Sequence, residues 1–179
     1  MSRTAPWIRG DGRALCGGLF AAALLAACAD PVHFVAPDGE PAPPREAVLV
    51  RGDIEYRAVL VTARLDGVDA IVTLTNRGRE TRRLVFPHTC GALLRAYHAR
   101  GGRLAWDQAE GKIQCGVRPF EVALGPGESR DFRPGAGALA ILGLSAPSGR
   151  FAIAAYLTPA GEAEVELPLG EVELEAPGL

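Results

Sequence analysis

Side chains suited to chemistry are scarce in this chain, and their spacing limits what they can do. The four cysteines stand at positions 16, 28, 90 and 115, and the three histidines are His33, His88 and His98. A nucleophilic cysteine needs a free thiol with a base held beside it, whereas a structural metal needs about four ligands. His88 lies two residues before Cys90, so both a base and a metal ligand have to be weighed there. No CxxC or HxxxH spacing supports either chemistry. Past Cys28 the chain holds three serines, Ser129, Ser145 and Ser148, and Lys112 is its single lysine. Gly143-Leu144-Ser145-Ala146-Pro147 opens like a nucleophile elbow but ends in proline, without the strand-turn-helix setting such an elbow needs. Asp66 and Asp69 fall in turn-like segments, where aspartate is favoured on conformational grounds. The expectation is no catalytic residue, no metal and no cofactor, hence a binding or structural module.

The N-terminus decides the fate of two cysteines. Arg3, Arg9 and Arg13 precede an apolar run from Leu15 to Ala27, and its thirteen residues are short for ~30 Å of hydrocarbon at a helical rise of ~1.5 Å. That length suits the apolar region of a secretory signal. The run closes with Leu25-Ala26-Ala27-Cys28, which resembles the bacterial lipoprotein box. The resemblance implies cleavage before Cys28, a diacylglycerol on its thiol and an acylated new N-terminus. Residues 1–27 therefore read as a lipoprotein signal peptide, 28–46 as the lipidated cysteine and a Pro-rich tether, and 47–176 as a folded domain. Pro31, Pro37, Pro41, Pro43 and Pro44 favour an extended tether. Ala29 is not the aspartate that the lipoprotein family uses for inner-membrane retention. The expected location is the bacterial envelope, facing away from the cytoplasm, on the outer membrane where the cell has one.

With Cys16 leaving in the signal and Cys28 acylated, Cys90 and Cys115 remain. An even pair in an oxidising compartment most often forms a disulfide, and closing this loop stabilises the fold by about 3.5 kcal/mol on the chain-entropy model. The charge balance excludes another class of partner. The whole chain carries a formal charge of −2, and removing the signal makes it more acidic, so nucleic-acid binding is not expected.

The elements that must position these residues read as strands. Short apolar runs such as Tyr56–Leu65, Ala70–Thr75, Leu93–His98, Arg103–Trp106, Phe120–Leu124, Ala138–Leu144 and Arg150–Leu157 alternate with Gly- and Pro-rich turns. That punctuation predicts an antiparallel sandwich or barrel. Val72 and Leu74 share one face, with Ile71, Thr73 and Thr75 on the other. Near the C-terminus Val165, Leu167 and Leu169 alternate with glutamates, and after Gly170 the apolar parity passes to Val172 and Leu174. A phase change of that kind predicts a bulge or turn at Pro168 to Gly170. The glutamates stand too far apart along a strand to close on one Ca²⁺ without a loop, so they read as a solvated face.

Taken in order, several of these motifs resemble the Ig-like domain of the BsuPI (intracellular proteinase inhibitor) family. They are Val72-Thr73-Leu74-Thr75-Asn76, Leu84-Val85-Phe86-Pro87, Leu94-Arg95-Ala96-Tyr97, Gly102-Arg103-Leu104-Ala105-Trp106, Gln114, Leu124-Gly125-Pro126-Gly127-Glu128-Ser129 and Pro147-Ser148-Gly149-Arg150-Phe151. The resemblance implies an all-β, antiparallel Ig-like β-sandwich. Cys90 and Cys115 are additions to the family pattern and read as a staple on a local hairpin and its loop. Phe86, Tyr97, Trp106 and Phe120 are expected in the core. His88, Arg95, His98, Arg100 and Arg103 make the stapled region locally basic and are a possible contact patch. Two functions follow as expectations. One is a lipid-anchored, non-catalytic envelope binding or assembly module, held to the membrane through Cys28 and meeting a protein or other envelope partner. The other is a proteinase inhibitor of the BsuPI type.

Overall fold

Period-two alternation builds two facing sheets, and turns supply their connections. The computed structural model describes residues 46–64, 66–111, 115–144 and 146–176. The signal peptide, nearly all of the tether, Cys28 and Gln114 lie outside them. β1 (Glu46–Arg51) turns back into β2 (Ile54–Arg64), which returns as β3 (Gly67–Asn76). β4 (Arg82–Phe86), β5 (Ala92–His98), β6 (Leu104–Asp107) and β7 (Phe120–Leu124) follow. β8 (Ser129–Phe132), β9 (Gly135–Gly137), α1 (Ala138–Leu142), β10 (Ser148–Leu157) and β11 (Val165–Glu175) complete the order.

One sheet runs β1-β2-β3-β8, with β9 also paired to β3; the other runs β11-β10-β5-β6, and β4 with β7 forms a separate ribbon. Every pairing is antiparallel. The protein is an all-β antiparallel sandwich. β2-β3-β8 against β11-β10-β5-β6 corresponds to the A-B-E and G-F-C-C′ strands of immunoglobulin-type topology.

Inward-facing residues explain the pairing. Ile54, Tyr56, Ala58 and Leu60 of β2 and Val68, Ala70, Val72 and Leu74 of β3 are buried. They join one core cluster with Leu94 and Ala96 of β5, Phe151, Ile153 and Ala155 of β10, and Val165, Leu167, Leu169, Val172 and Leu174 of β11. On the opposite face of β3, Thr73 donates a hydrogen bond to Asp131, and Thr75 shares one with Ser129, which ties that face to β8. Asn76 ends β3 fully buried, and its side chain satisfies three backbone groups. Nδ2 donates to the carbonyls of Glu80 and Leu124, and Oδ1 accepts from Gly78 N–H.

The expected phase change in β11 is a bulge. Ile153 pairs with Gly170 and Ala154 with Pro168, leaving Leu169 as the extra residue. Gly170 has φ +90°, a conformation that glycine adopts without a Cβ clash. The sequence expectation fails at Ala138–Leu144 and at Tyr97. Ala138–Leu144, read as a strand, begins with the single-turn helix α1. Ala and Leu are strong helix formers, and the turn buries Ala138 and Ile141, three residues apart, on one side. Tyr97, expected in the core, stands on the outer face of β5 instead, while the fully buried Tyr56 takes a core position.

Candidate functional site

The outer face of the β11-β10-β5-β6 sheet gathers the strongest polar constellation among the described residues. Leu93, Arg95 and Tyr97 share that face on β5. Cross-strand register sets Arg95 opposite Asp107 of β6 and Ala154 of β10, while Tyr156 of β10 lies opposite Glu166 of β11. Ala154 is small, so the Arg95 side chain can cross over β10. Its guanidinium carbon stands 3.8 Å from the centre of the Tyr156 ring. This is cation–π geometry between diagonal neighbours on adjacent strands.

Three carboxylates hold that guanidinium. Arg95 Nε donates to Asp107 Oδ2 at 2.8 Å, and its terminal nitrogens donate to Glu164 and Glu166. Asp107, 7% exposed, also accepts from Tyr156 Oη and from the backbone N–H of Ala109, at 2.5 and 2.8 Å. Tyr97 Oη donates to Glu166 at 3.0 Å. Burial alone would raise the Asp107 pKa. The hydrogen bonds from Tyr156, Arg95 and Ala109, with the charge of Arg95, outweigh burial and hold it below the ordinary aspartate value. Burial raises both tyrosines. The bond to Asp107 lifts Tyr156 further, and the bond to Glu166 helps to bring Tyr97 to about 12. Near neutral pH Asp107 is therefore ionised and both phenols are protonated.

A second constellation surrounds the cysteines. Cys90 and Cys115 are disulfide-bonded, with Cα atoms 5.4 Å apart. They join the turn before β5 to the segment that follows β6. His88 is half-buried beside them, and burial lowers its pKa. Gly91, at φ +71°, passes directly under Phe132, where an added Cβ would stand 2.3 Å from the ring. The ring of Phe132 in turn packs edge-on against Phe86 and Phe120.

The five residues expected to form a contact patch are not gathered in one place. Arg95 is taken up by the acidic network. His98, on the opposite face of β5, packs its ring 5.7 Å from that of Phe151. His88 belongs to the disulfide turn. Arg100 and Arg103 are exposed at the tip of the β5–β6 hairpin, around Gly101 and Gly102. Asp69, read as a turn residue, lies within β3. The acidic network escaped the sequence reading although all its members were visible. Along the sequence Arg95 stands near His98, Arg100 and Arg103, and Glu164 and Glu166 stand among other glutamates. The signal that joins them is strand order, which places β10 between β5 and β11.

No protein-family model matches the chain, and no curated protein matches it. Among solved structures it is similar to β-glucosidase 3B from Thermotoga neapolitana, with 10% identity over 73% of this chain and a TM-score of 0.33. The match spans only 17% of the glucosidase. It is also similar to an ApaA protein from Bordetella pertussis, with 17% identity over 77% of this chain and 97% of that one, at a TM-score of 0.29. The fold assignment rests on the strand pairing described above.

Proposed function

We propose that this chain is a lipid-anchored, non-catalytic binding or assembly module of a bacterial envelope. In this reading Cys28 carries the membrane anchor and the sandwich meets a protein or other envelope partner. The binding part rests on β1. It is an edge strand, and among the described residues nothing pairs with its outer side. Val48, Leu49 and Val50 are 53%, 36% and 57% exposed. Edge strands are commonly blunted by charge, proline or bulges, and this one carries three consecutive apolar residues. Such an edge is suited to strand addition, in which main-chain hydrogen bonds give affinity and alternate side chains give specificity. The anchoring part rests on Leu25-Ala26-Ala27-Cys28 after an apolar run. The non-catalytic part is supported by Asp107, Tyr97 and Tyr156, whose pKa values are moved further from neutrality and make them poor partners for proton transfer at pH 7.

The test uses the full chain in its own membranes, with a photo-crosslinking residue at Val48. A specific adduct is expected, lost when Leu49→Lys and Val50→Lys are added while the β-sheet circular dichroism is retained. No adduct, or one indifferent to those changes, overturns the edge-strand reading. Labelled palmitate is expected to enter the chain, and incorporation into Cys28→Ser would overturn the anchor.

A further inference from the structure

A third ligand-type group stands beside the disulfide. A ring nitrogen of His88 and the two sulfurs lie within 4.8 Å of one another. Among the described residues the buried Nδ1 atom of His88 has no hydrogen-bond partner, and buried polar atoms are seldom left so. The segments that carry these groups are also joined by bonds independent of the sulfurs. Thr89 N–H donates to the Gly116 carbonyl at 3.0 Å, and Gly116 N–H donates to Thr89 Oγ1 at 2.7 Å. The His88 carbonyl accepts from Gly91 N–H, which closes the turn between His88 and Cys90. Opening the disulfide therefore leaves two thiols facing each other, with an imidazole at hand.

We propose that reduction converts this loop into a binding site for one thiophilic d¹⁰ cation, Zn²⁺ or Cu⁺, held by Cys90 Sγ, Cys115 Sγ and His88. Metal–sulfur bonds of about 2.3 Å and metal–nitrogen bonds of about 2.0 Å place donor atoms roughly 3.5–4 Å apart in a three- or four-coordinate site. Staggered rotations of the two cysteine side chains suffice to open the sulfurs to that spacing. Two thiolates and an imidazole suit soft or borderline cations. Cu⁺ accepts three ligands, and Zn²⁺ takes water as a fourth from the solvent side of the half-exposed loop. The redox step needs a thiol reductant. A dithiol gives two electrons and two protons, the Cys90–Cys115 bond breaks into two thiols, and the dithiol becomes a disulfide. Metal binding then displaces the two thiol protons.

The experiment uses the full chain carrying Cys16→Ser and Cys28→Ser, so that Cys90 and Cys115 are its only thiols. It is reduced anaerobically with a water-soluble phosphine, which leaves as the phosphine oxide with oxygen from water, and is then desalted. Zn²⁺ is titrated against a chromogenic zinc chelator, and Cu⁺ in parallel against a copper(I) chelator. The expected result is one equivalent of at least one of the two ions in the reduced chain, with the oxidised chain binding at least about a hundredfold more weakly. His88→Ala is expected to lower affinity by more than about a hundredfold while two thiols still titrate, a loss beyond the usual range for a merely neighbouring group. Cys115→Ser is expected to abolish stoichiometric binding. Equal binding by the oxidised chain overturns the proposal, as does unchanged affinity in His88→Ala. A reduced chain that binds neither ion, or that loses its β-sheet circular dichroism, overturns it equally.

Discussion

Arg95 is the residue on which most of the outer-face electrostatics converge. Its side chain is 18% exposed and pairs with Asp107, Glu164 and Glu166. Removing it leaves Asp107 charged, buried and short of one partner, which costs more than an exposed ion pair contributes. Arg95→Ala is therefore expected to lower unfolding free energy by about 2–3 kcal/mol, read from urea denaturation at pH 7. Arg95→Lys should recover less than half of that, because an ammonium has neither the planar fork nor the flat face that meets Tyr156. Asp107 adds a pH dependence whose sign is fixed by its lowered pKa. Its contribution is fully present above the ordinary aspartate value near 4 and is lost as pH falls through the lower folded-state value. Stability should thus decline on the acid side, and Asp107→Asn should be weaker at pH 7 by about 1–3 kcal/mol with a shallower acid decline. An acid limb as steep in the variant as in the parent chain would contradict this assignment.

Glycine placement at the element scale separates strain from mere freedom. Gly91 and Gly101 both have positive φ, at +71° and +86°. A Cβ at Gly91 meets the Phe132 ring, whereas one at Gly101 meets nothing within 4 Å. Gly101→Ala is expected to cost only its backbone strain, about 1–2 kcal/mol. Gly91→Ala adds displacement of an aromatic packed against Phe86 and Phe120, so a total of about 3–4 kcal/mol is expected. Equal midpoints for the two variants in thermal unfolding would show that the loop yields rather than the ring. Much at this scale was legible from the amino acids. Strand positions, the β5–β6 hairpin about Gly101-Gly102 and the β11 bulge at Leu169 follow from alternation and turn chemistry, which are local signals. Helix α1 was not legible, because an apolar run of this length fits either period and only the tertiary neighbours of Ala138 and Ile141 decide. The Arg95 network was equally hidden, since 69 residues separate Arg95 from Glu164 and no local pattern links them.

At the scale of the whole molecule, the core fixes where the folding unit begins and ends. Among the described residues, the buried core cluster runs from Ile54 to Leu174, so the strands themselves supply a core that closes both sheets. A chain of residues 46–176 is therefore expected to fold by itself, with a β-sheet circular dichroism spectrum and a single cooperative transition. The same fragment decides between binding module and proteinase inhibitor. An inhibitor of the substrate-like kind presents a rigid exposed loop, since ordering a mobile one on binding weakens the complex. The strands β5 (7 residues) and β6 (4 residues) take up part of the stapled segment from Cys90 to Cys115, and the exposed tip of their hairpin is Gly101-Gly102, at φ +86° and +61°. Consecutive glycines give that tip a backbone freedom that opposes tight inhibition, despite the flanking Arg100 and Arg103. The fragment is expected to leave trypsin-like serine proteases uninhibited at equimolar concentration. Saturable one-to-one inhibition that disappears in Arg100→Ala or Arg103→Ala would reverse that expectation and move the hairpin tip from ornament of the fold to its working surface.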